Sequence, residues 1–434
     1  MSSPNEFQNE LSKLIMSSRL VPNADLHSFR VDGCVPKAVV MPVSERELSE
    51  LLAEAYRKEW AVVPRGSGHS LKVGNSPLKV DLVVGTTGLE QSIDYSPSDL
   101  TVTVGAGTRF HELQSNLAKG GHWLPIDPPL GPVRTIGGIL ATNLVGPLSF
   151  GYGTVRDYLL GLRVVGPDGT VTKNGGRVVK NVTGFDLTKL HIGALGTLGI
   201  ILEANLKVMP LPKCDKTIFV NFDRWQTGIQ TFMLQSLSSY NGQAVELIVG
   251  ADGDVKGYIR FLGSESSVAA RVEEAFKLLT SSVTNPPRII TEKQAMDVWD
   301  EIQNFGWGDY SENGDDVIIR IGCSPSKIGS VIKDMFDYCA QNRYPIEIIA
   351  SPARGVFKCK LKGITSVLAE TVTMFRKTTA RFGGYAVVEL APVKAKKNID
   401  VWGDPGLGIQ LMRRLKEKLD PNGIFNVGRY VEGI

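Results

Sequence analysis

Residues 192–434 contain no histidine. That stretch can supply neither an imidazole base nor a histidine metal ligand. The chain's five histidines, His27, His69, His111, His122 and His191, never form an HxxxH pair, which leaves little case for a metal. Cys34, Cys214, Cys323, Cys339 and Cys359 form no CxxC pair, which argues against an iron–sulfur cluster or structural zinc held by this chain. Redox chemistry here would need an organic cofactor. Charge of one sign is also missing: 48 basic against 45 acidic residues leave +3 with no basic block, and no electrostatic case for nucleic acid or an anionic membrane. Apolar runs are strand-sized. Residues 1–12 lack the basic start and apolar core of a signal peptide, so a cytoplasmic location is expected, with any membrane association made through partners.

Glycine is plentiful, with 46 residues, and 42% hydrophobic content in 434 residues is enough for two or three cores. The stretch Val62-Val63-Pro64-Arg65-Gly66-Ser67-Gly68-His69-Ser70 ends an apolar strand in a loop whose glycines can point successive N–H groups into one concavity. Such a concavity holds an anion. The loop lacks the closing Gly-Lys-Ser/Thr of a P-loop, and Leu71 stands where a dinucleotide fingerprint has its third glycine. A plain glycine turn is the competing reading.

An amphipathic helix is expected over residues 7–16 and a strand over 39–42. A capping box at Ser44 to Glu47 starts a helix with Leu48, Leu51, Leu52 and Ala55 on one stripe, and a strand over 61–64 leads into the glycine loop. Further strands are expected over 78–84 and 100–104, then a helix over 109–119 capped by Thr108. The four prolines of residues 124–132 demand a loop of defined shape. After it, Thr135-Ile136-Gly137-Gly138-Ile139-Leu140-Ala141-Thr142-Asn143 places paired glycines where a helix N-terminus lets a flat or anionic group approach the backbone. A hairpin over 161–174 turns at Pro167-Asp168-Gly169. A third glycine cluster, Gly193-Ala194-Leu195-Gly196-Thr197-Leu198-Gly199, follows residues 181–187.

Taken together, PRGSGHS, the TIGGILATN segment, GYGTVRD and NVTGFDLTKLHIGALGTLGII closely resemble the FAD-binding domain of the vanillyl-alcohol oxidase/p-cresol methylhydroxylase family. Their order and spacing look most like FAD-binding subunits of glycolate oxidase complexes. The resemblance spans residues 35–212, and more loosely Leu419-Asp420-Pro421-Asn422-Gly423-Ile424-Phe425-Asn426. It implies that Pro64 and the loop Arg65, Gly66, Ser67, Gly68, His69 and Ser70 hold the FAD pyrophosphate. Pro128, Thr135, Gly137, Gly138, Thr142 and Asn143 would line diphosphate and isoalloxazine, and Gly196, Gly199 and Ile201 would receive the adenosine end. In some relatives a histidine at the place of His69 is bonded to the flavin 8α-methyl; the alternative role is a polar neighbour of the cofactor, and the non-covalent role is the one adopted.

The second half repeats one pattern. Strand 217–222, helix 226–238, strands 244–249 and 255–261, helix 266–279 and strand 289–290 are followed by strand 317–321, helix 326–341, strands 345–349 and 355–361, helix 365–382 and strand 385–390. The expected fold is α+β. A PCMH-type FAD-binding domain of two α/β subdomains (35–212) follows an N-terminal helical segment (1–34). A cap of duplicated ferredoxin-like β-α-β-β-α-β units with an antiparallel sheet (213–400) comes next, and a C-terminal helix and tail (401–434) return to the FAD domain. Arg354, Lys358 and Lys360 suit a carboxylate-binding face or a solvated one. Trp299, Phe305, Trp307 and Tyr310 suit a packed corner, a lid or a partner contact.

The resemblance implies an FAD-binding subunit of a glycolate or other 2-hydroxy acid oxidase or dehydrogenase complex. Its partners would be a paralogous FAD-containing catalytic subunit and an iron–sulfur subunit. Relatives that oxidise 2-hydroxy acids carry a histidine base and a histidine-rich metal motif in the cap, and this cap has neither; a tyrosine or lysine base stays open. Two other readings remain: a self-sufficient alcohol or sugar oxidase with FAD attached at His69, and a scaffold without turnover.

Overall fold

The computed structural model describes residues 4–89, 92–177, 186–237, 241–281, 283, 285–311, 314–397 and 399–434. Residues 181–185, which open the NVTGFDLTKLHIGALGTLGII segment, and the end of the helix expected to reach 238 lie outside these.

Three strands, β1 (Ala38–Val40), β2 (Val62–Arg65) and β3 (Leu82–Gly85), form a parallel sheet in the order β1-β3-β2. The helix Glu45–Arg57 crosses between β1 and β2 and buries Leu48, Leu51, Leu52 and Ala55 against the sheet. Its N-cap is Ser44, whose hydroxyl accepts from Glu47 N at 3.2 Å, while the Glu47 carboxylate accepts from Val43 N, one residue earlier than a capping box would have it. A second sheet contains β4 (Ile93–Ser96), β5 (Thr101–Gly105), β7 (Leu159–Val165), β8 (Val171–Gly175) and β9 (Ile200–Lys207), ordered β4-β5-β9-β7-β8 and antiparallel throughout. A short ribbon of β6 (His122–Trp123) and β10 (Met209–Pro210) lies beside it.

Several expectations shift here. Leu78 is exposed and its strand starts only at Leu82. The strand β4 is additional: Ile93 is only part-buried and Asp94 is exposed, so it shows no clear alternation. Thr108 is not the cap of the next helix; Arg109 is, and the helix runs Phe110–Lys119. The N-terminal helix ends at Leu11, and residues 17–19 and 23–29 continue as tight 3₁₀ turns.

The second half is one eight-stranded sheet. Its strands are β11 (Cys214–Phe222), β12 (Ala244–Val249), β13 (Val255–Gly263) and β14 (Arg288–Ile289), then β15 (Val317–Gly322), β16 (Ile346–Ser351), β17 (Val356–Leu361) and β18 (Tyr385–Leu390). The order β14-β11-β13-β12-β16-β17-β15-β18 is two copies of one ferredoxin-like arrangement joined through the β12–β16 pair. The helices Trp225–Leu237, Glu265–Thr280, Ile328–Asn342 and Leu368–Ala380 cover one face, meeting Val245, Leu247, Ile319, Ile321, Phe357 and Cys359. Strand alternation sends Glu246, Arg320, Lys358 and Glu389 to the other face, toward the first half of the chain. No helix among the described residues is long and apolar enough to cross a membrane.

The tail comes back to the first sheet. Phe425 bridges to Val62 in parallel, Val62 N donates to Ile424 O at 2.7 Å, and Asn426 N donates to Val62 O at 2.9 Å.

Candidate functional site

The loop after β2 begins at Pro64 and reaches Gly68, whose φ of +89° is closed to most side chains. A Cβ on Gly66 would run into the Thr135 hydroxyl, so two of the three glycine segments touch backbone to side chain at this point. Thr135 caps the short helix Ile136–Thr142 by accepting from Gly138 N at 3.3 Å. Gly196, at φ +68°, brings the third segment to within contact of Pro64.

These segments close on one cavity. A hollow of about 510 Å³ is lined by Pro64, Arg65, Gly66, Gly137, Gly138, Ala141, His191, Gly196, Gly199 and Ile201. It adjoins a second of about 450 Å³ that shares Pro64, Arg65, Gly66 and Gly138 and adds Ser67, Gly68, Ser70, Thr135, Thr142, Asn426 and Arg429. Three residues proposed from the sequence lie elsewhere. Pro128 supports docking, its carbonyl accepting from Gln303 Nε2 at 2.9 Å. Asn143 ends the short helix at φ +47°. His69 lines a neighbouring hollow with Ser28, Arg30, Asp32, Arg65 and Lys72, its Nδ1 3.1 Å from Ser67 Oγ.

One cation of the cavity is arranged to meet an anion. Arg65 Nε is buried with no hydrogen-bond partner among the described residues, although the guanidinium lies over Phe29 at 4.4 Å. Burial lowers the Arg65 pKa, which marks a cation short of counter-charge. Burial also holds His191 down at about 4, so its imidazole stays neutral. A cation with an orphan donor, glycines without side-chain bulk and a capped helix N-terminus together fit a dinucleotide with a flat ring system.

Residues 36–175 match the family model described as FAD binding domain. This part of the chain is an FAD-binding domain. FAD is its cofactor. Over 197 residues, 45% of this chain and 42% of the other, the sequence is 34% identical to glycolate oxidase subunit GlcD of Bacillus subtilis. Thus the chain spans less than half the length of that relative. Over 93% of this chain and 75% of the other it is 24% identical to the mitochondrial D-lactate dehydrogenase [cytochrome] of Arabidopsis thaliana. In fold the whole chain is similar to p-cresol methylhydroxylase, with a TM-score of 0.76, 14% identity and coverage of 98% of this chain and 96% of that one.

Behind the FAD-binding domain's glycine loop runs a chain of contacts into the cap. Arg134, buried, donates to Ser70 Oγ and to Pro129 O at 2.5 Å, and its guanidinium stacks 4.6 Å from the Trp307 ring. Burial lowers its pKa to about 10. Trp307 Nε1 donates to Glu389 at 2.7 Å, and Glu389 pairs with Lys358 at 2.9 Å and Arg320 at 3.5 Å. Burial opposes the Glu389 charge, but Lys358 and Arg320 outweigh it and hold the carboxyl below its ordinary range. The aromatic run is therefore divided: Trp299 packs in the cap with its Nε1 on Thr217, whereas Trp307 and Tyr310 face Lys72 beside the glycine loop.

On the same sheet face, Arg320, Arg354, Lys358, Glu246 and Ser351 line a hollow of about 430 Å³ closed by Val145, Gly146 and Pro147. Lys360 takes no part; it pairs with Asp316 at 3.4 Å. The sequence reading missed Arg134, His191, Arg429, Glu246 and Glu389. A single carboxylate in an otherwise apolar strand, as in Ala244–Val249 and Tyr385–Leu390, would have pointed to Glu246 and Glu389.

Proposed function

We propose that the chain is an FAD-dependent oxidoreductase of a small 2-hydroxy acid, working as the FAD-binding subunit of a glycolate-type oxidase or dehydrogenase complex. The observation that carries it is the cavity in which Arg65, Gly138 and Gly196, from three separate segments, share one wall. Gly66, Gly68 and Ser70 would take the pyrophosphate together with Arg65, Gly137, Gly138 and Thr142 the ring system, and Gly196, Gly199 and Ile201 the adenosine end. Bound FAD supplies a two-electron acceptor for oxidation of an alcohol. The names of both curated relatives, glycolate oxidase and D-lactate dehydrogenase, describe oxidation of a 2-hydroxy carboxylate, and the cationic hollow of Arg320, Arg354 and Lys358 suits that carboxylate. Because the cysteines lie apart, electrons leaving the flavin would pass to a partner, for which an iron–sulfur subunit beside a paralogous flavoprotein is the proposed arrangement.

The test is co-expression with neighbouring genes, an absorbance spectrum of what co-purifies, and anaerobic mixing with glycolate or D-lactate. Flavin absorbance in this chain together with a co-purifying iron–sulfur protein supports the reading. A chain that takes up no added FAD would sink it.

A further inference from the structure

Glu246 is 2% exposed, sits on the cap face away from the four helices, and lines the hollow closed by Val145–Pro147. Its Oε1 accepts from the Ser351 hydroxyl, which aims the carboxyl. Around it stand Arg354 from the turn after β16, Lys358 of β17, Arg320 of β15 and Gln303 at the end of the helix below, with Asp127 on the facing loop. Arg354 also reaches across, Nη1 to Gly146 O at 3.5 Å. Val145, which closes this hollow, follows Thr142 of the glycine-segment cavity by three residues along the chain. Lys358 and Arg320 engage Glu389, whereas Arg354 makes no ion pair among the described residues and can take an anion.

Burial pushes the Glu246 carboxyl up to about 7, against the pull of Ser351, Arg354 and Lys358. A carboxyl at that value is half ionised near neutrality, where a general base works best. The cap lacks histidine, so no imidazole of the cap can take the proton.

We propose that Glu246 accepts the hydroxyl proton of a 2-hydroxy acid whose carboxylate is held by Arg354 and Lys358. This rests on the function proposed above. The O–H proton moves to a Glu246 carboxylate oxygen, the α-hydrogen leaves as hydride with its electron pair to the bound flavin, and the C–O bond becomes C=O. The products are a 2-oxo acid, a reduced flavin and a protonated Glu246.

The FAD-loaded full chain is mixed anaerobically with glycolate or D-lactate from pH 5 to 9, and flavin bleaching is followed. Oxalate binding is measured separately by calorimetry, in buffers of different ionisation heat. In the parent protein, bleaching rises with pH through about 7, and oxalate binding takes up a proton, because an anion beside Glu246 disfavours its charge. In Glu246→Gln the rate falls about 10²- to 10⁴-fold, the limb disappears and oxalate binds without proton uptake. Glu246→Asp restores part of the rate. Ser351→Ala, a second variant in case the first does not fold, moves the limb to higher pH by removing a hydrogen bond that favours the ionised form. If the parent is bleached and Glu246→Gln keeps both rate and limb, this inference falls while the function stands. If the parent neither bleaches nor binds oxalate, both fall.

Discussion

Lys396 Nζ lies 3.0 Å from Asp32 Oδ2 with both side chains 1% exposed, an ion pair that joins the cap to the segment beside the glycine loop. The ammonium also donates to Lys72 O at 2.5 Å. Such a pair is expensive to break because the remaining charge stays buried. Lys396→Met is expected to cost about 3–5 kcal/mol, and the double variant with Asp32→Asn to recover part of it. Urea denaturation of the three proteins measures this.

Gly66 admits no side chain without displacing Thr135, and Thr135 caps the helix carrying Gly137 and Gly138. Gly66→Ala is expected to weaken FAD binding about tenfold or more, equivalent to about 1.4 kcal/mol, while circular dichroism stays unchanged. Fluorescence titration of the apoprotein with FAD reads the difference.

His69 faces the hollow of Arg30, Asp32 and Lys72 rather than the wall shared by the three glycine segments, and its ring engages Ser67. Acid precipitation of the holoprotein is therefore expected to leave the flavin in the supernatant. Flavin fluorescence on the polypeptide in a denaturing gel would contradict this.

Asp127 is half-buried with its Oδ1 enclosed, and desolvation raises its carboxyl to about 7; Leu148 N bonds one oxygen while Oδ1 has no partner among the described residues. A raised carboxyl pKa adds stability that is fully present below the unfolded value, about 4, and is lost as pH rises through the folded one. Asp127→Asn, which keeps an acceptor for Leu148 N, is expected to gain stability relative to the parent by on the order of 3–4 kcal/mol between pH 4 and pH 8. Thermal melts at the two pH values check the sign.

Glu389 behaves in the opposite sense. Its pKa is lowered, so its contribution is present above about 4.3 and disappears as pH falls through the lower folded value. Lys358→Met removes the closer partner and is expected to destabilise the protein at pH 7 more than at pH 4, again by melting temperature.

Local chemistry explains what could be read in advance. The strands and helices of the cap announced themselves because a buried strand alternates with period two and a helix with 3.6, and β12 and β18 lie where the pattern put them. Strand β4 was invisible because Ile93-Asp94-Tyr95-Ser96 at a sheet edge has little to bury. Thr108 looked like a cap by residue type, but the backbone bonding begins one residue later, at Arg109. Pro128 sits in the proline-rich loop and Asn143 in a glycine-bearing segment, yet one faces the cap and the other ends a helix. No spacing rule distinguishes a wall from its support.

By itself, the chain's order of residues determined that three glycine segments follow strand or helix ends, that the cap is built twice, and that no imidazole lies beyond His191. These are properties of neighbours along the backbone, set by φ, by period and by residue type. Only the tertiary structure decided that the three segments share a wall, that Arg134 reaches Trp307, and that Glu246 enters a hollow with Arg354 and Lys358. Those partners lie far apart along the chain, and their meeting depends on which sheet face packs against which. Folding settles that through burial summed over the whole chain, and no local signal carries it.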